Sequence, residues 1–227
     1  MDLGGQLRLK LEHPASFSRD RFVVSDSNRE AVTTVDGWSG EIGGALALIG
    51  PAGAGKSHLA CAWAKRTQAT VLLADRLSEE KLDQIQGPML LDGADGAAHG
   101  EAFFHLLNKA ARPGGALLLT GRSPPSSWLV QVQDLRSRLN ALPVAQLCEP
   151  DDAILNGVLV KLFMERSIRP PADLLAYLVR RIERSVPAAQ AVVAALDEAA
   201  AAEHRAVSRS LAREILRDEH DEPELED

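Results

Sequence analysis

The chain has 227 residues, enough for one large domain or for a core domain with a smaller second one. Its net charge of −7 comes from residues 218–227, which hold seven acids and no Lys or Arg, so the remainder is neutral. No apolar run approaches the ~20 residues of a membrane span, and no signal-peptide pattern or basic stripe is present. The composition therefore predicts a cytoplasmic protein without strong direct binding of nucleic acid, ending in a solvated, disordered tail.

Five short apolar runs after residue 40 predict the strands of a sheet. They are ALALIG (45–50), TVLLA (70–74), PMLLD (88–92), ALLLT (116–120) and PVAQLC (143–148). Helical patterns lie between them, notably over 56–67 and 100–111. Continuous apolar strands that alternate with helices are typical of a parallel sheet covered on both faces, so an α/β fold with a five-stranded parallel core is predicted.

From residue 149 onward the pattern is helical only. Asp151 or Asp152 caps a predicted helix that ends near Arg166. Three further helices are predicted over 169–184, 186–204 and 208–218, the first with Pro just ahead of its first turn and the last with a serine N-cap. A second, all-helical subdomain over about 150–217 is therefore expected.

The strongest motif is GPAGAGKS, residues 50–57, which matches the phosphate loop G-x-x-x-x-G-K-[ST] between a predicted strand and a predicted helix. Its backbone amides and the helix N-terminus favour phosphate, Lys56 can reach the β- and γ-phosphates, and Ser57 can bind Mg²⁺. The predicted nucleotide-binding residues here are Pro51, Ala52, Gly53, Ala54, Gly55, Lys56, Ser57 and His58.

A second acidic element is predicted at Asp92, which ends the third apolar strand and would hold Mg²⁺ together with Ser57. ATPases of this kind usually have a second acid next, to polarise the attacking water, but residue 93 is glycine. Asp95 could substitute only if the backbone bends. The pattern predicts nucleotide binding with slow or absent hydrolysis by the isolated chain.

Two further polar features have alternative interpretations. Thr120, at the tip of the fourth strand, either lies between the phosphate loop and Asp92 in a catalytic role or caps the turn that Gly121 begins. Arg136 and Arg138 cannot point the same way on a helix, so we expect one to pair locally and the other to face outward. The outward arginine is either an arginine finger for a neighbouring subunit or part of a solvated basic turn.

These motifs, with LLLTGRSPP (117–125), DLRSRL (134–139) and the helical lid, resemble the AAA+ module of the bacterial replication initiator DnaA. SRDRFVVSDSNREAV (18–32) resembles the segment that packs around the adenine in that family. The resemblance covers about residues 17–218 and implies nucleotide contacts from Phe22, Val23, Val24, Ser27 and Asn28. The family's lid arginine is missing, because Ser185-Val186-Pro187 stands at its position.

A single AAA+ module of this size resembles the Hda-type regulatory inactivators of DnaA. Those proteins carry an N-terminal clamp-binding peptide of the form Gln-Leu-x-Leu-x-Leu, which Gln6, Leu7, Leu9 and Leu11 fit. Read alone, the same alternation favours a short edge strand or a frayed end.

The resemblance implies a clamp-binding peptide and linker (1–16), an AAA+ core (17–149), a lid (150–217) and an acidic tail (218–227). It implies ADP or ATP with Mg²⁺ as ligands, and DnaA and the β sliding clamp of DNA polymerase III as partners. Arg138 would be offered in trans to ATP on DnaA. Sequence-specific DNA binding and membrane binding are not expected, and homo-oligomerisation stays open. The alternative is a self-sufficient P-loop ATPase, such as a helicase loader.

Overall fold

The computed structural model of the protein describes residues 17–39, 44–98, 100–130 and 132–218. The proposed clamp-binding residues Gln6, Leu7, Leu9 and Leu11, and the tail beyond Asp218, lie outside these ranges.

The core contains one sheet of five parallel strands. The strands are β1 (Ala45–Ile49), β2 (Thr70–Leu73), β3 (Pro88–Asp92), β4 (Ala116–Gly121) and β5 (Val144–Gln146). Their order is β2-β3-β4-β1-β5, and every neighbouring pair is parallel. The predicted strands and the parallel α/β core are therefore confirmed.

Helices cover both faces of this sheet. They are α1 (Arg29–Gly37), α2 (Lys56–Thr67), α3 (Glu79–Gln84), α4 (Glu101–Ala110) and α5 (Gln133–Ala141). Alternate strand residues face opposite layers, since Leu118 packs in the cluster of α1 and α2, whereas Leu117 packs in that of α3, α4 and α5. The helix that follows the phosphate loop and the helix that carries Arg138 therefore lie on opposite faces of the sheet.

The predicted lid forms a separate helical layer with its own core. Its helices are α6 (Asp152–Glu165), α7 (Ala172–Val179), α8 (Val186–Ala202) and α9 (Arg209–Asp218). Leu159, Phe163, Leu178 and Leu196 are fully buried at its centre. Asp151, not Asp152, caps α6, since its Oδ1 accepts the Ile154 N–H at 2.7 Å.

Within the described ranges, no helix has both the length and the hydropathy that crossing a membrane requires. Cys61 and Cys148 are free thiols in the structure.

Candidate functional site

Residues 50–55 form a loop between β1 and α2. At two positions of this loop the backbone angles and the neighbouring atoms favour glycine. Gly53 and Gly55 have φ values of 74° and 92°, which side-chain-bearing residues rarely adopt. A Cβ at Gly53 would lie 2.5 Å from the Ser185 Cβ, and one at Gly55 would lie 3.1 Å from the Phe22 ring. The loop is therefore enclosed by the lid on one side and by the N-terminal segment on the other.

Lys56 spans the concave side of this loop. Its ammonium donates hydrogen bonds to the carbonyl oxygens of Gly50 and Pro51, both at 2.7 Å. Burial lowers the pKa of Lys56, the positive charge of Arg122 lowers it further, and the carboxylates of Asp95 and Asp92 act in the opposite direction. The positive charges of Lys56 and Arg122 therefore repel each other.

Three hydroxyl and carboxyl groups meet at the ends of β3 and β4. The Ser57 hydroxyl lies 3.2 Å from both carboxylate oxygens of Asp92. Thr120 is buried, donates its hydroxyl hydrogen to Asp92 and accepts the Gly93 N–H at 2.9 Å. Thr120 therefore fixes the Asp92 carboxylate beside the phosphate loop.

The chain turns sharply directly after Asp92. Gly93 has a φ of 76°, and residues Ala94–Gly96 form a short 3₁₀ turn. This bend carries Asp95 to the tip of β4, where its carboxylate accepts the Arg122 N–H at 3.0 Å. The backbone bend that Asp95 would need is present, but its carboxylate has a hydrogen-bond partner at the strand tip.

A cleft of about 460 Å³ lies beside the phosphate loop, between the core and the lid. The core contributes Gly53, Ala54, Gly55, Lys56, Ser57 and His58 to its walls, and the N-terminal strap (residues 17–28) contributes Phe17, Arg21, Phe22, Val23 and Asn28. The lid contributes Ile154, Val158, Lys161, Leu162, Glu165, Val186, Pro187 and Gln190. We call this space the nucleotide cleft.

One wall of the nucleotide cleft is aromatic. The His58 ring contacts the edges or faces of Phe17 and Phe22 in T-shaped pairs, with centroids 5.6 and 5.4 Å apart. His58 Nε2 also donates to the Ser18 carbonyl oxygen at 2.9 Å. This wall can offer ring surfaces to a flat ligand.

Asn28 shapes the N-terminal strap from within. Its side chain is buried, donates to the Val23 carbonyl oxygen at 2.9 Å and accepts the Ser25 N–H at 3.0 Å. With both ends of its amide used by the backbone, Asn28 keeps Val23 against α6, where a Cβ at Gly157 would lie 2.9 Å from Val23.

The lid rests directly on the phosphate loop at the start of α8. The Val186 N–H donates to the Gly53 carbonyl oxygen at 3.1 Å, and Ser185 caps α8 by accepting the Ala188 N–H. Arg184 does not replace the missing lid arginine in the cleft, because its guanidinium donates to the Pro150 carbonyl oxygen and to Asp152.

Most of the predicted nucleotide contacts line the nucleotide cleft. Val24, Ser27, Pro51 and Ala52 lie outside its lining, and Val24 is exposed to solvent. The lid residues that line the nucleotide cleft are not predicted from the sequence. Ile154, Val158 and Leu162 recur at helical spacing on a face of α6 other than that of Leu155, Leu159 and Phe163, and this second apolar face was the available signal.

Arg138 lies on α5, on the opposite face of the sheet from α2. Its guanidinium pairs with Asp134 at 2.9 Å, donates to the Asn108 side chain and lies 4.9 Å from the centre of the Phe104 ring. Arg136 instead donates to the Val130 carbonyl oxygen at 2.8 Å. Both arginines therefore have local partners, and the side chain of Arg138 stays 41% exposed.

Strand order, phosphate loop and helical lid together define the fold of the AAA+ P-loop nucleoside triphosphatases. Domain III of the replication initiator DnaA from Thermotoga maritima matches 92% of this chain with 99% of its own length, at a TM-score of 0.74 and 16% identity. AMPPCP-bound DnaA from Aquifex aeolicus matches 81% of this chain with 66% of its own, at 0.65 and 18%. The Thermotoga maritima RuvB branch-migration motor matches 88% with 71%, at 0.70 and 16%.

The chain is also similar in sequence to a curated protein. The chromosomal replication initiator protein DnaA from Thermomicrobium roseum is 24% identical over 230 aligned positions, which cover 89% of this chain and 50% of that protein. No family model matches the chain. The chain thus has a DnaA-like AAA+ fold and spans about half the length of the curated relative that it matches.

Proposed function

We propose that this chain is an Hda-type regulator that binds an adenine nucleotide and promotes hydrolysis of ATP bound to DnaA. One observation carries the proposal. The phosphate-loop motif is complete in the sequence and its Lys56 and Ser57 line the nucleotide cleft, but Gly93 stands where the water-polarising acid is expected. Such a site suits a ligand that is held rather than turned over.

In this proposal the cleft holds ADP or ATP. The phosphates lie along the loop beside Lys56, and the base lies between the strap and α6, against Val23, His58 and Ile154. Ser57 and Asp92 would supply oxygen ligands of the kind that Mg²⁺ prefers. The 3.2 Å spacing of these two groups, with Thr120 holding the carboxylate, fits that role.

The outer face of α5 supports the action in trans. Arg138 is partly exposed, and Leu129 and Val132, just before α5, are 87% and 56% exposed. These exposed apolar side chains, at the start of the segment that carries Arg138, are available to a partner protein. In the proposal, Arg138 exchanges its surface contact with Asp134 for the phosphates on DnaA; an exposed ion pair of this kind is worth only about 0–1 kcal/mol.

Residues 6–11 would tether the regulator to the β sliding clamp of DNA polymerase III. This part of the proposal rests on the sequence alone. In an extended peptide Leu7, Leu9 and Leu11 share one side, whereas Arg8 and Lys10 occupy the other. The chain would then act at the replisome in the cytoplasm and restrain initiation of chromosome replication.

A self-sufficient ATPase, of the helicase-loader kind, is the second candidate. The placement of Asp95 favours it, because the bend after Gly93 carries its carboxylate to the tip of β4, directly after Thr120, which holds Asp92. In that case Asp95 would polarise the attacking water from the bend that follows Gly93.

The two candidates are separated by following ATP hydrolysis in defined mixtures. If the chain is a regulator, we expect rapid hydrolysis of DnaA-bound ATP only when this chain and DNA-loaded clamp are both added. Leu9→Ala with Leu11→Ala should abolish that dependence on the clamp, whereas Arg8→Ala with Lys10→Ala should retain most of it. Steady hydrolysis by the chain alone that Asp95→Asn and Lys56→Ala each abolish would sink the regulator and favour the ATPase.

A further inference from the structure

Four side chains of the lid form an arginine–tyrosine cluster: Tyr177, Arg181, Arg209 and Arg213. The guanidinium carbons of Arg181 on the α7 side and Arg209 on α9 each lie 5.4 Å from the centre of the Tyr177 ring. Arg213 follows Arg209 by one turn of α9, and both line a shallow cavity of about 400 Å³. Folding therefore gathers three cations that are separated in the sequence.

These cations lack acidic partners within the part of the chain that the structure describes. No ion pair joins Arg181, Arg209 or Arg213 to a carboxylate there, and all three side chains are exposed. Glu214 lines the same cavity, but it pairs with Arg205, whose hydrogen bond is the main cause that lowers the pKa of Glu214. The cluster is thus a cationic surface with an aromatic centre, which suits an acidic ligand.

The chain itself contains an acidic segment directly after this surface. Residues 219–227, EHDEPELED, hold six acids and no Lys or Arg, and they follow α9 without interruption. The ten residues of α9 span about 15 Å, whereas nine extended residues reach about 30 Å. The tail is therefore long enough to turn back along α9 to all three arginines.

We propose that residues 219–227 dock on the arginine–tyrosine cluster of the same chain and shield it from other polyanions. The short connection gives the tail a high effective concentration at the cluster. Exposed ion pairs are individually weak and are screened by salt, so the docked tail exchanges with competing anions. This surface is separate from the nucleotide cleft and from Arg138, and the inference does not depend on the proposed function.

A spin label on the tail tests the docking directly. A nitroxide is attached to the full chain at Leu225→Cys, which removes no charge, with Cys61 and Cys148 replaced by serine. At low salt, amide signals near Tyr177 and Arg209 should broaden selectively, and the triple variant R181Q/R209Q/R213Q should lose this broadening. The matched variant R29Q/K65Q/R112Q, which removes three exposed basic side chains from the α/β core, should keep the broadening.

Two results of this experiment would overturn the proposal. One is the absence of broadening in the chain that keeps its three arginines, or broadening that is equally strong in the triple variant. The other is broadening that appears only when chains with the spin label but no isotope label are mixed with isotope-labelled chains that carry no spin label. The occupant of the cluster would then be the tail of a second copy.

Binding of a fluorescent single-stranded oligothymidine probe tests the shielding. Replacing the six acids of 219–227 by their amides should strengthen probe binding about tenfold at low salt, because the cluster is freed for phosphate contacts. Adding R181Q/R209Q/R213Q should remove that gain, and adding R29Q/K65Q/R112Q should preserve most of it. Probe binding that the amide substitutions leave unchanged, or a gain that both triple variants remove equally, would contradict shielding.

Discussion

Lys56 in the nucleotide cleft and Arg138 on α5 are both held by oxygen atoms of their own chain, but those atoms differ in kind. Lys56 donates to two backbone carbonyls of a loop that glycine geometry and the lid fix in place. Arg138 is held at the surface by the side chains of Asp134 and Asn108 and by the face of Phe104.

The difference indicates which of the two side chains can exchange its own contacts for contacts with a partner protein. Partners of Lys56 cannot rotate away, so only a ligand inside the cleft can compete with them. The partners of Arg138 are partly exposed side chains, and an exchange costs little. A protein that holds one nucleotide and acts on another would need both arrangements, and each can be altered separately.

The largest expected effect is that of Arg138→Ala. Since arginine fingers contribute about 10³–10⁵ in rate, we expect stimulation of hydrolysis on DnaA to fall at least ~10³-fold. Nucleotide affinity of this chain should not change, because Arg138 lies on the other face of the sheet. Single-turnover hydrolysis by DnaA measures the first quantity, and calorimetric titration with ADP measures the second.

Arg136→Ala is the matched control for this experiment, since Arg136 lies two residues earlier on α5 and donates to a backbone carbonyl oxygen, that of Val130. It should retain most of the stimulation. Full stimulation by Arg138→Ala together with loss in Arg136→Ala would reassign the finger to Arg136.

The next largest effect is expected for Lys56→Ala. A charged hydrogen bond to phosphate is worth about 1.5–3 kcal/mol, so nucleotide affinity should fall by about 10²-fold. The exposed Lys65, on the same helix, provides the control, and Lys65→Ala should bind normally. Equal affinities of the Lys56→Ala and wild-type proteins would exclude the phosphate loop as the binding site.

A loss of similar size, in the docking of the lid and not in a phosphate contact, is expected when Gly53 becomes alanine. The new Cβ would adopt a strained φ and meet the Ser185 Cβ at 2.5 Å, so docking of the lid should weaken by about 2–3 kcal/mol. Gly37→Ala is the control, because a Cβ there meets nothing within 4 Å. Thermal unfolding and ADP affinity measure the effect; a Gly53→Ala protein as stable as Gly37→Ala would mean that the lid does not depend on this contact.

The sequence predicts the regular core well because its signals are local. Continuous apolar runs such as Leu117–Leu119 indicate buried strands, and the phosphate loop is recognised from eight consecutive residues. Helix α1 was missed because Val32, Thr33, Thr34 and Val35 are β-branched and favour strands; burial of Ala31, Val32 and Val35 stabilises the helix instead.

The site was predicted only where its residues are close in sequence. The contact of Gly53 with Ser185 spans more than 130 residues, and the stacking of Arg138 on Phe104 spans 34, so neither leaves a local pattern. The wall that α6 gives to the nucleotide cleft looks like additional lid core in the sequence. Only the packing of the strap shows which face of α6 is turned toward the loop.

The smallest effect concerns Asp151, which joins the lid to the strap. Its carboxylate caps α6 and accepts the Ser25 hydroxyl hydrogen at 2.6 Å. Asp151→Ala should lower the free energy of unfolding by about 1 kcal/mol, as expected for the loss of an N-cap. Glu198→Ala, in the exposed part of α8, should change it by less than about 0.5 kcal/mol.

This contribution should depend on pH in a defined direction. Partial burial raises the pKa of Asp151, but the hydrogen bonds from Ser25 and the Ile154 N–H outweigh it, so the pKa lies below its ordinary value of 3.8. A carboxyl whose pKa is lowered by folding stabilises the native state above the unfolded pKa and loses that contribution as the pH falls through the folded value. The stability difference between wild type and Asp151→Ala should therefore be constant near neutral pH and shrink below about pH 4. A difference that grew as the pH fell would mean that the neutral carboxyl, and not the carboxylate, holds the strap to the lid.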